Sequence, residues 1–184
     1  MPDVTLLAVA CPREVTLDPW YALRVRPRYE RQVAQSIESK GFEVFLPLYL
    51  ARRRWSDRMK DLELPLFDGY IFCRADLKVR LPILTTPGVI QFVGLGKTPV
   101  PVEESEIEAL QRVVQSGAVT RPWPFLREGD KVRVDDGPLR SLEGILLRTE
   151  HDHNLVISVT LLQRSVAVRL EREWVTPLRP WLRN

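Results

Sequence analysis

Apolar positions change their spacing several times along the chain, and each spacing predicts an element. The segment from Trp20 to Val25 is rich in aromatic and aliphatic residues and predicts a first strand, which Pro27 stops. Apolar residues at every fourth position then predict a helix at about 28–40, which Gly41 can end. Its apolar stripe consists of Tyr29, Val33 and Ile37. A second strand is expected at Val44 to Pro47.

A nearly unbroken apolar run from Pro65 to Phe72 predicts the centre of a domain. Such a run is typical of a strand buried on both faces. Pro65 fits only the start of a strand, because it has no N–H for a ladder. We therefore predict a third strand at about Phe67 to Cys73. The preceding arm, Leu48 to Glu63, is interpreted as a solvated hairpin or loop.

The rest of the first half predicts a ferredoxin-like arrangement. A helical turn is expected near 82–86, a fourth strand at 89–93, and a last helix that opens at Glu103 and ends at Gly117. The predicted order is β-α-β-β-α-β followed by a helix, an α+β fold with an antiparallel sheet.

The second half has a different pattern. Breakers such as Pro122 and Pro124 interrupt residues 117–125 and predict a linker. Beyond it, apolar residues alternate in four short segments, which predict a small β-barrel because closure removes exposed strand edges. The predicted strands are 131–134, 144–147, 155–159 and 166–170. We therefore predict an extension at 1–19, one domain at 20–116, the linker, and a second domain at 126–180.

Composition adds the distribution of charge to this picture. The 184 residues are 45% hydrophobic and 28% charged, as in ordinary globular proteins. The net charge is only +3, but ten Lys and Arg face four acids between Trp20 and Lys60. The sequence thus predicts a basic surface that could face phosphate. No apolar run reaches the roughly 20 residues of a membrane helix, so we expect no membrane association and a cytoplasmic location.

None of the candidate catalytic motifs has the residues at the spacing that its chemistry needs. The Gly96-Lys97-Thr98 triplet lacks the P-loop glycine, because Gln91 occupies that position. His151 and His153 have no third metal ligand nearby, and no serine lies in a nucleophile elbow. The two cysteines are far apart, and Cys73 is expected to be a small core residue. We expect no enzyme, no metal and no cofactor.

Nucleic-acid contact is the chemistry that these residues leave open. The aromatic strand motifs of RNA-recognition modules are absent, so base stacking on the sheet is not expected. Four arginines at a strand end and helix start could instead reach the phosphates of one strand. They are Arg24, Arg26, Arg28 and Arg31.

From Trp20 to Pro177 the chain resembles the NusG family of transcription elongation factors, and most of all specialised paralogues of the RfaH or polysaccharide-locus antiterminator type. In the first domain, called NGN in that family, the matching residues are Trp20-Tyr21-Ala22-Leu23, Glu30 through Gly41, Pro65 through Phe72, and Thr86-Pro87-Gly88-Val89 through Gly94. In the second, Gly129 through Val134, Gly137-Pro138-Leu139 and Gly144 are similar to the start of a KOW motif. Asp68 departs from the family pattern, which has proline there.

The resemblance implies a non-enzymatic factor that binds RNA polymerase across its cleft and suppresses pausing or termination. The residues that match the contact with the clamp helices of the largest subunit are Phe67, Tyr70, Val93 and Leu95. Arg80, Leu81 and Pro82 match the contact with the opposite jaw, although without the Thr-rich motif of RfaH. The four arginines named above are expected to contact non-template or upstream DNA.

The resemblance also implies that the KOW domain recruits a ribosomal protein or the termination factor Rho. We expect a nucleoid-associated monomer, and a specialised paralogue because of the extension, the arginine-rich arm and Asp68. The alternatives are the housekeeping NusG and a KOW-containing RNA-binding protein associated with translation.

Overall fold

The structure, a computed structural model, describes residues 18–55, 58–124, 130–148, 153–170 and 174–178. Apart from Asp18 and Pro19, the predicted extension lies outside the described residues, as do His151 and Asp152 of a predicted turn. Within the described ranges, no helix combines the length and the apolar character needed to cross a membrane.

The first half of the chain forms an antiparallel sheet with helices, as predicted. Its strands are β1 (Trp20–Val25), β2 (Val44–Phe45), β3 (Leu48–Trp55), β4 (Arg58–Pro65), β5 (Tyr70–Arg74), β6 (Val89–Phe92), β7 (Gly94–Leu95), β8 (Thr98–Pro99) and β9 (Pro101–Val102). Its helices are α1 (Glu30–Glu38), α2 (Leu81–Leu84) and α3 (Glu104–Ser116), with a 3-10 turn at Leu77–Val79. The main sheet has the order β2-β5-β1-β6, and β9 also pairs with β1.

The central strand β1 is buried on both faces because its side chains alternate between two apolar clusters. Tyr21 and Leu23 pack with the buried stripe of α1. Trp20 and Ala22 belong to the cluster that contains the buried residues of α3. Cys73 is fully buried, as predicted, and burial raises the pKa of its thiol to about 12. That cysteine is therefore a core residue rather than a nucleophile.

The predicted strand from Phe67 to Cys73 is wrong over its first three residues. Pro65 ends β4, and a turn at Leu66–Gly69 precedes β5, which begins at Tyr70. Gly69 has a φ of 78°, a conformation that favours glycine. Leu66 and Phe67 are nevertheless buried. They are apolar because the turn packs their side chains into the core, and not because they belong to a strand.

The arm from Leu48 to Glu63 is a hairpin, which is one of the two structures that the sequence predicted for it. β3 and β4 pair from Leu48 with Pro65 to Trp55 with Arg58. Near its base, Arg31 of α1 makes an ion pair with Glu63, at 2.7 Å between Nη2 and Oε2. This contact connects the hairpin to the first helix.

The second half of the chain forms a six-stranded antiparallel sheet, and its buried residues share an apolar cluster with the first half. Its strands are β10 (Thr120–Pro124), β11 (Asp130–Val134), β12 (Glu143–Arg148), β13 (His153–Val159), β14 (Arg164–Leu170) and β15 (Val175–Pro177). The order is β10-β14-β13-β12-β11-β15, and the four predicted strands are all present. Alternate residues such as Leu155, Val166 and Val132 join one apolar cluster, as in a small barrel.

The linker prediction was wrong at residues 120–124, which form β10 and pair with β14. Pro122 and Pro124 suggested a break, but proline is also compatible with an edge strand, whose outer side needs no N–H partner. β10 is such an edge, and among the described residues no ladder joins it to β15. The other domain boundaries stay a prediction.

The two halves are in contact. The Glu106 carboxylate of α3 accepts the Thr160 N–H of the barrel, with N···O distances of 3.2 and 3.3 Å. The Arg112 guanidinium, also on α3, donates to the Arg140 carbonyl oxygen. One apolar cluster includes buried residues of both halves, such as Phe72 and Val166. The barrel therefore covers part of the first domain.

Gly88→Ala is expected to destabilise the first domain more than Gly41→Ala. Both glycines have a positive φ, 97° and 89°, so both substitutions strain the backbone by about 1–2 kcal/mol. Only at Gly88 would the added Cβ lie 2.7 Å from a side-chain carbon of Val33, whereas Gly41 faces open space. Urea unfolding should show an additional loss of about 1–3 kcal/mol for Gly88→Ala. Equal losses in the two variants would contradict this contact.

Candidate functional site

The four residues that match the clamp contact do not form one exposed patch. Phe67 is 1% exposed, and its ring meets Phe72 edge to face at a centroid distance of 5.8 Å. Tyr70 is half-buried, and the Arg164 guanidinium of β14 lies 5.3 Å from its ring centroid. The barrel thus covers the tyrosine, and the Phe67 ring is inaccessible in this conformation.

Val93 and Leu95 differ in their exposure to solvent. Val93 is half-buried and packs against the cluster that includes the barrel core. Leu95 is 79% exposed on β7, a strand of two residues that pairs only with β8. An apolar side chain of this exposure gains nothing from folding, so Leu95 is available to a partner.

A buried acid fixes the turn between Phe67 and Tyr70. The Glu30 side chain is 4% exposed, and its Oε1 accepts the Gly69 N–H at 2.8 Å. The Gly69 carbonyl oxygen in turn accepts the Val25 N–H at 2.8 Å. Glu30 therefore ties the turn to α1, and Val25 ties it to β1.

The segment that matches the opposite-jaw contact lies at the start of α2. Arg80, Leu81 and Pro82 are all exposed there, and Leu81 is 68% exposed. Lys40 fixes this short helix, because its Nζ donates to the Pro82 carbonyl oxygen at 2.7 Å and to the Thr86 hydroxyl at 2.6 Å. The three residues are thus presented together on a fixed backbone.

Three of the four predicted DNA-contacting arginines form an exposed corner. Arg24 lies near the end of β1, and Arg26 and Arg28 follow in the connection to α1. The Arg26 N–H donates to the Gly88 carbonyl oxygen, and Arg28 has a φ of 71°. Arg31 differs from them, since its guanidinium binds Glu63 of the hairpin.

Sequence reasoning missed the contacts made by Glu30, Lys40 and Arg164. The helix prediction gave Glu30 and Lys40 no partner, although each makes a hydrogen bond to a segment about 40 residues away. No pattern in the second half of the chain indicated that Arg164 reaches Tyr70. Periodicity identifies apolar faces but does not identify the partners of polar residues.

The part of the chain that the structure describes contains no group of three His, Cys, Asp or Glu side chains that could hold a metal ion. His151 lies outside the described residues.

An α+β domain with an antiparallel sheet, followed by a second domain made of strands, defines a class of two-domain folds, and comparison with known proteins specifies the family. A family model described as transcription termination factor nusG matches residues 18–111. The NusG of Buchnera aphidicola subsp. Acyrthosiphon pisum is 30% identical over 169 residues, covering 83% of this chain and 92% of that protein. The Helicobacter pylori J99 protein is 25% identical over 164 residues, covering 82% and 93%.

The chain therefore belongs to the NusG family of transcription termination and antitermination proteins. A solved structure titled "Domain interaction in Thermotoga maritima NusG" matches with a TM-score of 0.55 and 20% identity. It covers 88% of this chain and 97% of that chain. This likeness supports the α+β fold with an NGN-type domain and a KOW-like β domain.

Glu30→Ala is expected to loosen the turn at Gly69, because the buried Gly69 N–H would lose its acceptor. The cost should be about 1–3 kcal/mol in urea unfolding. The Gly69 amide should also exchange with solvent at least tenfold faster in NMR hydrogen exchange. Glu38→Ala, at an exposed position of the same helix, is the control and should change neither measurement. An unchanged Gly69 exchange rate in Glu30→Ala would show that the hydrogen bond does not hold the turn.

Proposed function

We propose that this protein is a non-enzymatic transcription elongation and antitermination factor that binds RNA polymerase through its first domain and suppresses pausing or termination. The observation that carries the proposal is the exposure of Leu95 and Leu81, at 79% and 68%. Each lies in a segment that matches a polymerase contact of the family, and burying such a side chain against a partner would contribute about 1–3 kcal/mol. Such a factor would act as a monomer in the cytoplasm, at the nucleoid.

In this proposal Leu95, Val93 and Tyr70 contact the clamp helices of the largest subunit. Phe67 acts from beneath, since its buried ring belongs to the same apolar cluster against which Tyr70 packs. Tyr70 becomes available only if the barrel moves away, because Arg164 lies over its ring. Such a movement would break the hydrogen bond between Glu106 and Thr160 and would separate the apolar cluster that the two halves share.

Arg80, Leu81 and Pro82 would contact the opposite jaw of the cleft. Their fixed backbone supports this role, because Lys40 holds the Pro82 carbonyl oxygen. A partner would then meet an ordered surface and lose less conformational freedom on binding. A protein that contacts both jaws favours the closed, elongating conformation of the polymerase by binding that conformation more tightly.

Upstream or non-template DNA would contact Arg24, Arg26 and Arg28. All three are exposed, and the described residues include no ion-pair partner for them. Their charge is therefore available to phosphates, which supply most of the affinity in non-specific DNA binding. Arg31 contributes less, since Glu63 already neutralises it.

The KOW barrel would recruit a second partner, either a ribosomal protein or Rho. Support comes from the resemblance of its first strands to a KOW motif and from its fold as a separate six-stranded sheet. A translation-associated RNA-binding protein is the rival function, because KOW motifs also occur in ribosomal proteins.

We also propose a specialised paralogue rather than the housekeeping factor. Asp68 is exposed in the turn between β4 and β5, beside the Tyr70 contact, so it changes the charge of that surface relative to the proline usual in the family. The hairpin of β3 and β4 has eight residues in each strand and carries the arginine-rich arm. Both features would let the protein recognise a specific recruiting element that a general factor does not bind.

Leu95→Ser and Leu81→Ser are each expected to reduce retention of core RNA polymerase by at least tenfold in a pull-down with the tagged full-length protein. The reason is that each removes an exposed apolar contact of about 1–3 kcal/mol without disturbing the core. Val119→Ser is the matched control, because Val119 is 67% exposed in the connection between the domains.

Phe67→Ser is unsuitable as a test, since it would damage the core whatever the protein binds. Retention unaffected by both leucine variants would contradict the proposed surfaces. An intact protein that captures ribosomal RNA and not polymerase would support the translation-associated function instead.

Specialisation is expected to confine the protein to a few operons, because a factor recruited by a specific element binds only where that element is transcribed. Chromatin immunoprecipitation followed by sequencing measures this directly, with the polymerase profiled in the same cells. Occupancy that follows the polymerase across nearly all transcribed genes would identify the protein as a housekeeping NusG.

A further inference from the structure

The outer edge of β6 is open. In the described residues β6 pairs with β1 on one side and no strand lies on the other. The Val93 N–H donates to the Ala22 carbonyl oxygen at 2.8 Å, so the backbone of Val93 faces β1. Backbone groups alternate in direction along an antiparallel strand, and those of Phe92 therefore face outward. The edge carries none of the proline or charged residues that usually protect such edges.

A groove lies beside this edge. Its walls are formed by Gln91 and Phe92 of β6, by Arg80 and Leu84 at α2, and by Lys97 and Pro99 of the β7–β8 hairpin. The groove measures about 230 Å³, which corresponds to the liquid volume of roughly eight water molecules. It can therefore hold a short piece of extended chain, but not a helix.

Two cationic side chains in the groove favour a negatively charged ligand. Arg80 and Lys97 line the groove from two separate segments and are both exposed. The described residues provide no ion pair for either cation. Leu84 and Pro99 add apolar surface between them. An extended segment in which acidic and aliphatic residues alternate matches both features, because successive side chains of a strand point to opposite sides.

We propose that this groove binds an extended acidic segment of a partner protein, which adds as a strand to the open edge of β6. Main-chain hydrogen bonds to Phe92 would supply affinity, and the cations on the walls would supply selectivity. Arg80 also belongs to the segment assigned to the opposite jaw, but the strand-addition site does not depend on polymerase binding. A basic segment would be repelled by Arg80 and Lys97, and nucleic acid would leave the outward backbone groups of Phe92 without a strand partner.

The test is an NMR titration of the ¹⁵N-labelled full-length protein with three synthetic peptides. The first is acetyl-Glu-Val-Glu-Val-Glu-amide, the second carries N-methyl groups on alternate amides, and the third has lysine in place of glutamate. We expect saturable shifts of the Phe92 and Lys97 amides with the first peptide. The other two should bind at least tenfold more weakly, since one lacks strand hydrogen bonds and the other repels the walls.

An Arg80→Ser/Lys97→Ser double variant should also weaken the acidic peptide at least tenfold, while Lys131→Ser on the barrel should leave it unchanged. No shift at Phe92 with millimolar peptide would overturn the proposal. Equal binding of the N-methylated peptide, or of the lysine peptide, would overturn it as well. If the peptide fails to bind while polymerase is still retained in the pull-down, only the groove proposal fails.

Discussion

The hydrogen bond from the Gly69 N–H to the buried Glu30 carboxyl is the interaction on which the turn between Phe67 and Tyr70 depends. Breaking it would leave a buried N–H without its acceptor, which costs about 1–3 kcal/mol. The same glycine is bound through its carbonyl oxygen to Val25 of the central strand. The positions of Phe67 and Tyr70, on either side of the turn, follow from these two contacts.

A second constraint is the continuity of the apolar core between the two domains. Trp20, Phe72 and the buried stripe of α3 share one cluster with the interior of the barrel. The barrel consequently lies over Tyr70, whereas Leu81 and Leu95 remain exposed. The first domain thus has one covered and one open part, and the open part includes the edge of β6.

Much of the fold was predictable because it depends on local patterns. The spacing of Val33 and Ile37 predicted α1, and alternation in the second half predicted β11 to β14. Family membership followed from the same stretches, since they are the ones that carry the resemblance. Two local patterns were misleading, however. The apolar run after Pro65 contains a turn, and the proline-rich residues 120–124 form an edge strand.

The sequence by itself determined α1, α3, the strands β11 to β14, the order of the two domains and the family, because hydrophobic periodicity and short motifs are properties of neighbouring residues. Only the tertiary structure decided which candidate residues are accessible. Phe67 is in the core, Arg31 is paired with Glu63, and Tyr70 lies beneath Arg164. These facts depend on contacts between residues 30 to 100 positions apart, and no local pattern specifies which polar group will meet which partner.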